Sequence, residues 1–583
     1  MPLQRPLLQN TLRTAVISLL AACDGCPPDA GRVQVEPLDV QLGAMYFSPY
    51  WPIHKLSNNC NQRTDAPCAY ADLGLPRIKL EDLRWDNIER SAPVGNNHSY
   101  DWSVLDDAVL RWEQAGATQL QFHLTPASSW GMQDSRPIAE DLFGLACDDI
   151  KGNCEDWPTN PKAEHEDDWV AFVTALCERY DADGVDDLEG LQYPHLEFEL
   201  LNEGQNWAFF MGGSEDFEQL LLLTRQALDA CSDDARIIHY GLTVNGLVHG
   251  GVSDEVYWER VEQMADSLEP LLFGPGYHHA HNMMLGSPDP DATVDAVSTL
   301  AMCEHFEAVD LHCNMSIEHM IEEHDFVRAK LDSYGCEDVE IICGDSTSAP
   351  SLYSPSELEW WDSSFGGEDE SGEAIHAALG EPFSTYALLC NPGGVSSDLS
   401  YDEAKAWFDQ QHAAFLVKKS VTALGLGMTG FMAGLLEDWA PANGCYWMYH
   451  GLNEAEVEGF GLFPVDYGEP NTAFHSYRLL AEKLDGYTAS SREVVDEVTI
   501  VTFTSDLEGA LPKHIVWYLD DFMATPGEEQ LTREFEIELG GGGVIETPLV
   551  TDGGGGSLVI GHDVSTYNNL ASQFPILIEE VED

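Results

Sequence analysis

Eight short strand-like runs, separated by longer segments with helical periodicity, constrain the fold of this chain more than any other feature. The strand-like runs cover residues 38–47, 77–83, 118–124, 195–201, 237–241, 308–311, 340–343 and 428–434. The helical patterns cover residues 100–116, 167–180, 214–231, 324–335 and 401–425. Regular alternation of strand and helix predicts a parallel sheet, and eight strands predict closure into a barrel. An open doubly wound sheet is the alternative, although no glycine-rich phosphate loop follows the first strand.

From about residue 490 the pattern changes to strands without helices. Glycine runs at residues 540–543 and 553–556 separate some of these strands and indicate turns. We therefore expect an α/β chain with a (β/α)₈ TIM barrel over residues 38–488. A small all-β, sandwich-like C-terminal domain is expected over residues 489–583.

The first 23 residues have the composition of a secretion signal. Arg5 and Arg13 precede an apolar run over residues 15–22, which is too short to span a bilayer, and Cys23 follows. Residues 20–23 also resemble the lipobox of bacterial lipoproteins, in which the cysteine becomes the lipidated first residue. Ordinary signal cleavage, with Cys23 left free, is the alternative. Residues 24–37 are rich in proline and glycine and are predicted to be a linker.

Charge and cysteine content narrow the range of partners and compartments. Lysine and arginine total 27 against 101 acidic residues, a net charge of −74, so nucleic acid is excluded as a partner because its phosphates require a basic surface. Fourteen cysteines are typical of an exported protein in an oxidising compartment. Cys60 with Cys68 and Cys147 with Cys154 are candidate local disulfides. Contact with a membrane is expected only through a lipid anchor at Cys23.

Polar and aromatic residues follow the predicted strands at the ends where a parallel barrel places its active site. The set contains carboxylates, histidines and a tryptophan, without a nucleophilic serine elbow or a His-Glu-x-x-His metal helix. Two carboxylates across such a mouth suit glycosidic bond cleavage, in which one protonates the leaving oxygen and the other attacks or stabilises the anomeric carbon. These residues are His123, Asn202, Glu203, His312, Asn314, Asp345, Glu437, Asp438 and Trp439.

Three motifs resemble the clan A glycoside hydrolases, which are retaining enzymes on this barrel. They are "LLNEG" at the fourth strand, "LRWDNIERSAPVGNNHSYDWSVLDDAVLRWEQAG" around the second, and "GLFPVDYGEPNTAFHSYRLLAEKLDGY" before the β region. The resemblance spans roughly residues 38–583 and implies that Glu203, preceded by Asn202, is the general acid/base. It also implies that the nucleophile ends the seventh strand, where this chain has Asp345 in "IICGDSTSAPS" in place of the family's glutamate.

The aspartate is a departure with a physical cost. Its side chain is one methylene shorter than glutamate, which withdraws the oxygens by ~1 Å on an unchanged backbone and can lower a rate by ~10²-fold. Either the strand end advances to compensate, or catalysis is weak or lost. Asp345 could instead cap the segment that follows, and Glu203 could be a helix-start carboxylate.

The remaining candidates are substrate-binding residues. The resemblance implies that His312 lines the site, and Asn314 stands where the family often has tyrosine. Aromatic side chains can form platforms for sugar rings, although each could equally pack in the core. These platform candidates are Trp130, Trp207 and Trp439, and His123 completes the predicted binding set.

A separate motif, "DADGVDDLEG", places Asp181, Asp183 and Asp187 around Gly184. Carboxylates around a glycine turn suit Ca²⁺, which takes several oxygen ligands in a flexible loop. The alternative is a short acidic turn in a very acidic chain. Any calcium here would be structural, and we expect the chemistry to require no cofactor.

The sequence therefore predicts an exported glycoside hydrolase, extracellular or anchored to the cell envelope, that acts on a poly- or oligosaccharide. The alternative is a catalytically weak or inactive carbohydrate-binding surface protein on the same barrel.

Overall fold

The computed structural model of the chain describes residues 42–46, 70–135, 158–205, 209–244, 295–313, 317–346, 400–434, 453–456, 466–520, 531–553 and 557–581. The predicted signal, linker and local disulfides lie outside these residues, as do three of the predicted binding residues, Asn314, Trp207 and Trp439. Residues Leu38–Asp583 belong to one compact unit.

Eight parallel strands form a closed barrel, in which each strand pairs with the next and the eighth pairs with the first. All eight predicted strands are confirmed, and the open sheet is excluded because the ring has no free edge. The strands are β1 Leu42–Tyr46, β2 Arg77–Arg84, β3 Gln119–Thr125, β4 Glu197–Leu200, β5 Arg236–Leu242, β6 Ala308–His312, β7 Glu340–Ser346 and β8 Gly430–Ala433.

The described helices surround the barrel and bury their apolar faces against it. They are α1 Trp85–Ile88, α2 Ser103–Gln114, α3 Glu166–Tyr180, α4 Ser214–Cys231, α5 Ile317–Tyr334, α6 Tyr401–Gly425 and α7 Thr472–Leu484. Helix α6 begins where predicted, because the Ser400 hydroxyl accepts from the Glu403 N–H while the Glu403 carboxylate accepts from the Ser400 N–H. Helix α5 begins seven residues before its predicted start at residue 324. The prediction missed its first turns because buried polar residues such as Glu323 interrupt their apolar pattern.

Charged side chains fill much of the barrel interior. Alternation along β2 turns Arg77, Lys79 and Glu81 to the same face. Lys79 Nζ lies 2.9 Å from Asp310 Oδ2 on β6, and since β2 and β6 are not neighbours in the sheet, this contact crosses the interior. Closer to the strand starts, Arg77 Nη2 lies 2.6 Å from Glu197 Oε2. The interior therefore contains layers of ion pairs, where many such barrels have branched apolar residues.

The seam between the first and last strands is joined by a side chain from outside the barrel. Tyr477 on α7 is fully buried, and its hydroxyl lies 3.0 Å from the Gly43 carbonyl oxygen on β1 and 3.2 Å from that of Phe431 on β8. Helix α7 thus contacts both strands that close the ring.

After α7 the described residues are all-β, as predicted. Before that helix, within the range predicted for the barrel, strands β9 Asn453–Glu456 and β10 Asp466–Pro470 form a separate small antiparallel pair. Six further strands form one antiparallel sheet in the order β11-β12-β13-β16-β14-β15, whereas a sandwich requires two facing sheets. The second sheet remains a prediction. The six strands are β11 Thr488–Val495, β12 Val498–Thr504, β13 Lys513–Tyr518, β14 Thr532–Pro548, β15 Leu558–Ser572 and β16 Ile576–Val581.

Among the residues that the structure describes, two disulfides lie on the outside of the barrel. Cys177–Cys231 joins α3 to α4, and Cys303–Cys336 joins a 3₁₀ turn to the residues after α5. Within the part of the chain that the structure describes, no helix has the length and apolarity needed to cross a bilayer.

We expect Arg77→Met to lower the free energy of unfolding by about 3 kcal/mol or more, because it removes one partner of a buried ion pair and leaves the Glu197 carboxylate poorly compensated. Urea-induced unfolding measures this change. Arg90→Met is the matched control, since Arg90 pairs with Asp101 at the exposed surface and its loss should change stability little. Equal effects of the two substitutions would contradict a structural role for the interior pair.

Candidate active site

Glu203 lies just past the C-terminal end of β4, on a backbone that an ordinary helix or strand would not give. Leu201 and Glu203 both have positive φ angles, 70° and 39°. Non-glycine residues in this left-handed region cost about 1–3 kcal/mol each and are typical of functional sites. The turn is local to the sequence "LLNEG" and brings the Glu203 side chain over the barrel mouth.

The Glu203 carboxylate contacts the ends of two other strands. Its Oε1 atom lies 3.1 Å from His312 Nδ1 at the end of β6 and accepts from the Thr243 hydroxyl, after β5, at 3.4 Å. The Glu203 side chain is 16 % exposed. It is therefore oriented by fixed neighbours while remaining open to solvent.

Asp345 lies within β7, and a bulge in that strand turns it toward the mouth. Asp310 and His312 on β6 pair with Ile342 and Asp345 on β7, so β7 contains one extra residue over this stretch. The register with β8 shifts in the same stretch. Gly344 already faces the interior beside Asp310, and strict alternation would turn Asp345 outward. The extra residue re-aims it inward, as bulges near active sites commonly do.

The Asp345 carboxylate is poorly solvated. Its side chain is 14 % exposed, and among the described residues its Oδ1 atom has no hydrogen-bond partner. Burial raises the pKa of Asp345 to about 6, although His312 and Lys79 oppose that rise. The carboxyl group therefore takes up a proton at a higher pH than an ordinary aspartate.

His312 lies between the two carboxylates. Its Nδ1 atom is 3.1 Å from Glu203 Oε1 and 3.9 Å from Asp345 Oδ2. These two oxygens therefore lie no more than about 7 Å apart, which is compatible with both the roughly 5–5.5 Å of retaining pairs and the shorter part of the inverting range.

The imidazole of His312 is fully buried and tightly held. It packs against Gly241 of β5, where an added Cβ would lie only 2.0 Å from Nε2. Burial alone would lower the pKa of His312, but Asp310, Glu203 and Asp345 raise it well above its ordinary value. The carboxylates around His312 therefore favour its imidazolium form.

Beneath the mouth, Lys79 holds three interior carboxylates together. Its Nζ atom lies 2.9 Å from Glu81, 2.8 Å from Glu199 and 2.9 Å from Asp310. Glu199, Asp310 and His312 have ligand-type atoms within 4.8 Å of one another, a spacing that a metal ion could use. The Lys79 ammonium already lies against both of those carboxylates, so a side-chain cation occupies the space beside them.

The other described binding candidates lie beside this centre without joining it. His123 Nδ1 is 2.7 Å from Glu81 Oε2, which ties it to the interior charges. Asn202 is half-buried, and its Oδ1 has no hydrogen-bond partner among the described residues. Trp130 is half-buried, donates its indole N–H to the Glu89 carbonyl and packs edge-on against Trp85. Substrate binding by these residues stays a prediction.

The structure brings Asp181, Asp183 and Asp187 together, with ligand-type oxygens within 4.8 Å of one another. Backbone N–H groups of the same turn donate to two of them, from Gly184 to Asp187 at 2.6 Å and from Val185 to Asp183 at 2.8 Å. Burial, followed by repulsion from neighbouring carboxylates, raises the pKa of Asp181 to about 7. Calcium binding at this turn stays a prediction.

Sequence reasoning missed the residues beneath the mouth: Lys79, Glu81, Glu199, Asp310 and Thr243. A signal for most of them was present, because "RIKLEDL", "HLEFELL" and "AVDLH" place charges at alternate positions inside strands. Charges on one face of a strand that closes into a barrel must meet in its interior.

No protein-family model matches the chain, and no curated protein matches it. Among solved structures, a family 39 glycoside hydrolase from the gut symbiont Bacteroides cellulosilyticus WH2 is similar at 11% identity and a TM-score of 0.49, over 94% of this chain and 81% of that one. A glucosidase from Croceicoccus marinus is similar at 12% identity and a TM-score of 0.48, over 94% and 96% of the two chains. These similarities are weak, so the activity of this chain has to be argued from its own residues.

Proposed function

We propose that the protein is a glycoside hydrolase that cleaves O-glycosidic bonds of a poly- or oligosaccharide with Glu203 and Asp345. The observation that carries the proposal is the pair of carboxylates, from the ends of β4 and β7, that lie against one imidazole and no more than about 7 Å apart. Both lie at the C-terminal ends of the strands, where barrels of this kind place their chemistry.

In the proposed reaction Glu203 gives a proton to the leaving oxygen as the glycosidic C–O bond breaks. Asp345, ionised, attacks or stabilises the anomeric carbon on the other side. Water then supplies the new hydroxyl group, and its second proton returns to a carboxylate. The bulge in β7 supports this role for Asp345, because it offsets the shorter side chain by turning the strand end toward the mouth.

A non-catalytic carbohydrate-binding protein is the second candidate. The observation that favours it is Asp345 itself, whose shorter side chain and buried oxygen leave it less exposed to a sugar than a glutamate would be. Both candidates imply sugar binding, and only the hydrolase implies turnover.

We expect Glu203→Gln to lower kcat on an activated aryl glycoside by about 10²–10⁴-fold, because glutamine cannot act as an acid or base. Asp345→Asn should lower it at least as far. Glu340→Gln is the control, since Glu340 begins the same strand as Asp345 at the opposite end of the barrel. If the wild-type protein hydrolyses no member of a broad glycoside panel but binds oligosaccharides in calorimetry, the second candidate is correct.

The pH dependence follows from Asp345. Because burial raises the pKa of Asp345 to about 6 and the reaction requires its ionised form, kcat/KM should rise with pH up to about 6 and fall about tenfold per unit below it. A kcat/KM profile between about pH 4 and 9 measures this limb. A limb at the ordinary aspartate value near 3.8 would show that Asp345 is not the ionised partner.

We propose further that the protein is exported and anchored through lipidated Cys23. The support is the sequence of residues 15–23 together with two disulfides among the described cysteines, which suit an oxidising compartment. Expressed in a bacterial host, the wild-type chain should incorporate labelled palmitate and fractionate with membranes, and Cys23→Ser should do neither. A mature N-terminus at a residue other than Cys23, determined by mass spectrometry, would refute the anchor.

A further inference from the structure

We infer that Asp310 is a positioning residue for this site, whose carboxylate holds the imidazole of His312 from the interior side, with Nδ1 turned toward Glu203 and Asp345. The motif "AVDLH" marks Asp310 as an interior charge but does not show what it contacts. The inference rests on the proposed function for its kinetic consequence, while its structural part concerns His312 alone.

Asp310 is itself held rigidly. It is fully buried, its Oδ1 atom accepts from the Gly344 N–H of β7 at 2.6 Å, and its Oδ2 atom lies 2.9 Å from Lys79 Nζ. Although burial favours the neutral acid, Lys79 and His312 hold the pKa of Asp310 well below its ordinary value. It is therefore a fixed anion in the barrel interior.

The same Oδ2 atom of Asp310 faces His312. It lies 3.7 Å from His312 Nε2, on the side of the ring opposite Nδ1. Gly241 and Gly344 make this arrangement possible, because a Cβ at either position would lie 2.0–2.1 Å from the imidazole or from the Asp310 carboxylate. The ring is thus confined with one nitrogen toward the interior anion and the other toward the mouth.

The charges around His312 favour its protonated form. Carboxylates face it from β4, β6 and β7, while β5 contributes Gly241 and Thr243, which do not titrate. Two buried cations among the described residues lie in this region: Lys79, whose ammonium is already shared with Glu81, Glu199 and Asp310, and Lys419 of α6, whose ammonium donates to the Cys313 carbonyl oxygen beside His312. The titratable groups that face His312 are Lys79, Glu199, Glu203, Asp310, Asp345 and, from α5, Glu323.

A charged His312 changes what the two carboxylates can do. The proposed reaction needs Asp345 ionised while Glu203 holds the proton that it gives to the leaving oxygen. The imidazolium attracts the Asp345 carboxylate and so stabilises its ionised form. When His312 loses its proton at high pH, Asp345 loses this stabilisation and activity should fall.

We expect Asp310→Asn to lower the pKa of His312, since it removes the interior anion, and to move the basic limb of kcat/KM to lower pH by about one unit or more. At pH values above the new limb, kcat/KM should fall by about tenfold or more, with KM little changed. Glu197→Gln is the matched control, because it also removes a buried carboxylate of an interior ion pair but contacts Arg77 and not His312. The basic limb of the kcat/KM profile of Glu197→Gln should lie at the same pH as that of the wild type.

The titration of His312 can be followed without substrate, by NMR on protein with isotope-labelled histidine, the signal being assigned by its loss in His312→Gln. We expect a wild-type pKa well above the ordinary value, unchanged in Glu197→Gln and lowered in Asp310→Asn. If Asp310→Asn does not fold, Asp310→Ser makes the same test. A wild-type His312 that titrates at its ordinary value, or an unchanged titration in the Asp310 variant, overturns the inference. An absence of glycoside hydrolysis with the expected titration would instead refute only the proposed function.

Discussion

The ammonium group of Lys79 is the interaction on which the centre of this structure depends. It is fully buried and lies within hydrogen-bonding distance of carboxylates from three different strands. Without a cation at this position the barrel would enclose several uncompensated negative charges, each expensive to bury. With it, Glu81 and Asp310, whose pKa values are held well below the ordinary range, become fixed charges that act on the residues above them. The electric field at the barrel mouth therefore depends on the ion pairs packed in the barrel interior.

The mouth itself is built from departures from regular strand geometry. Glu203 is reached through two left-handed residues, and Asp345 through an extra residue in β7. Each departure turns one carboxylate to the same imidazole, which a pair of regular strands would not do. Gly241 and Gly344 have no side chain, and this leaves room for the His312 imidazole and the Asp310 carboxylate. The site is therefore specified by backbone irregularity and by absent side chains as much as by the acidic residues.

The sequence predicts the barrel well because its information is local. Alternating apolar residues in runs such as residues 118–124 and helical spacing in residues 214–231 mark elements whose order allows few topologies. The general location of Glu203 follows from its place after a strand. The bulge that re-aims Asp345 does not follow from local pattern, because it depends on register with β6 and β8. The contacts of Lys79 with carboxylates from β2, β4 and β6 likewise exist only once the ring has closed. The start of α5 was missed because Glu323 is buried, whereas glutamate is usually exposed.

The contact of Tyr477 with both closing strands has a consequence for how the chain acquires its structure during synthesis. Residues of β1 leave the ribosome first, yet the side chain that joins β1 to β8 comes from α7, after all eight barrel strands. Until residue 477 has emerged, the pairing of β1 with β8 lacks that contact, which leaves the first and last strands more open to pairing with other chains. Completion of the ring is thus coupled to a late segment of the polypeptide, so that early fragments should depend on chaperones more than the finished chain does.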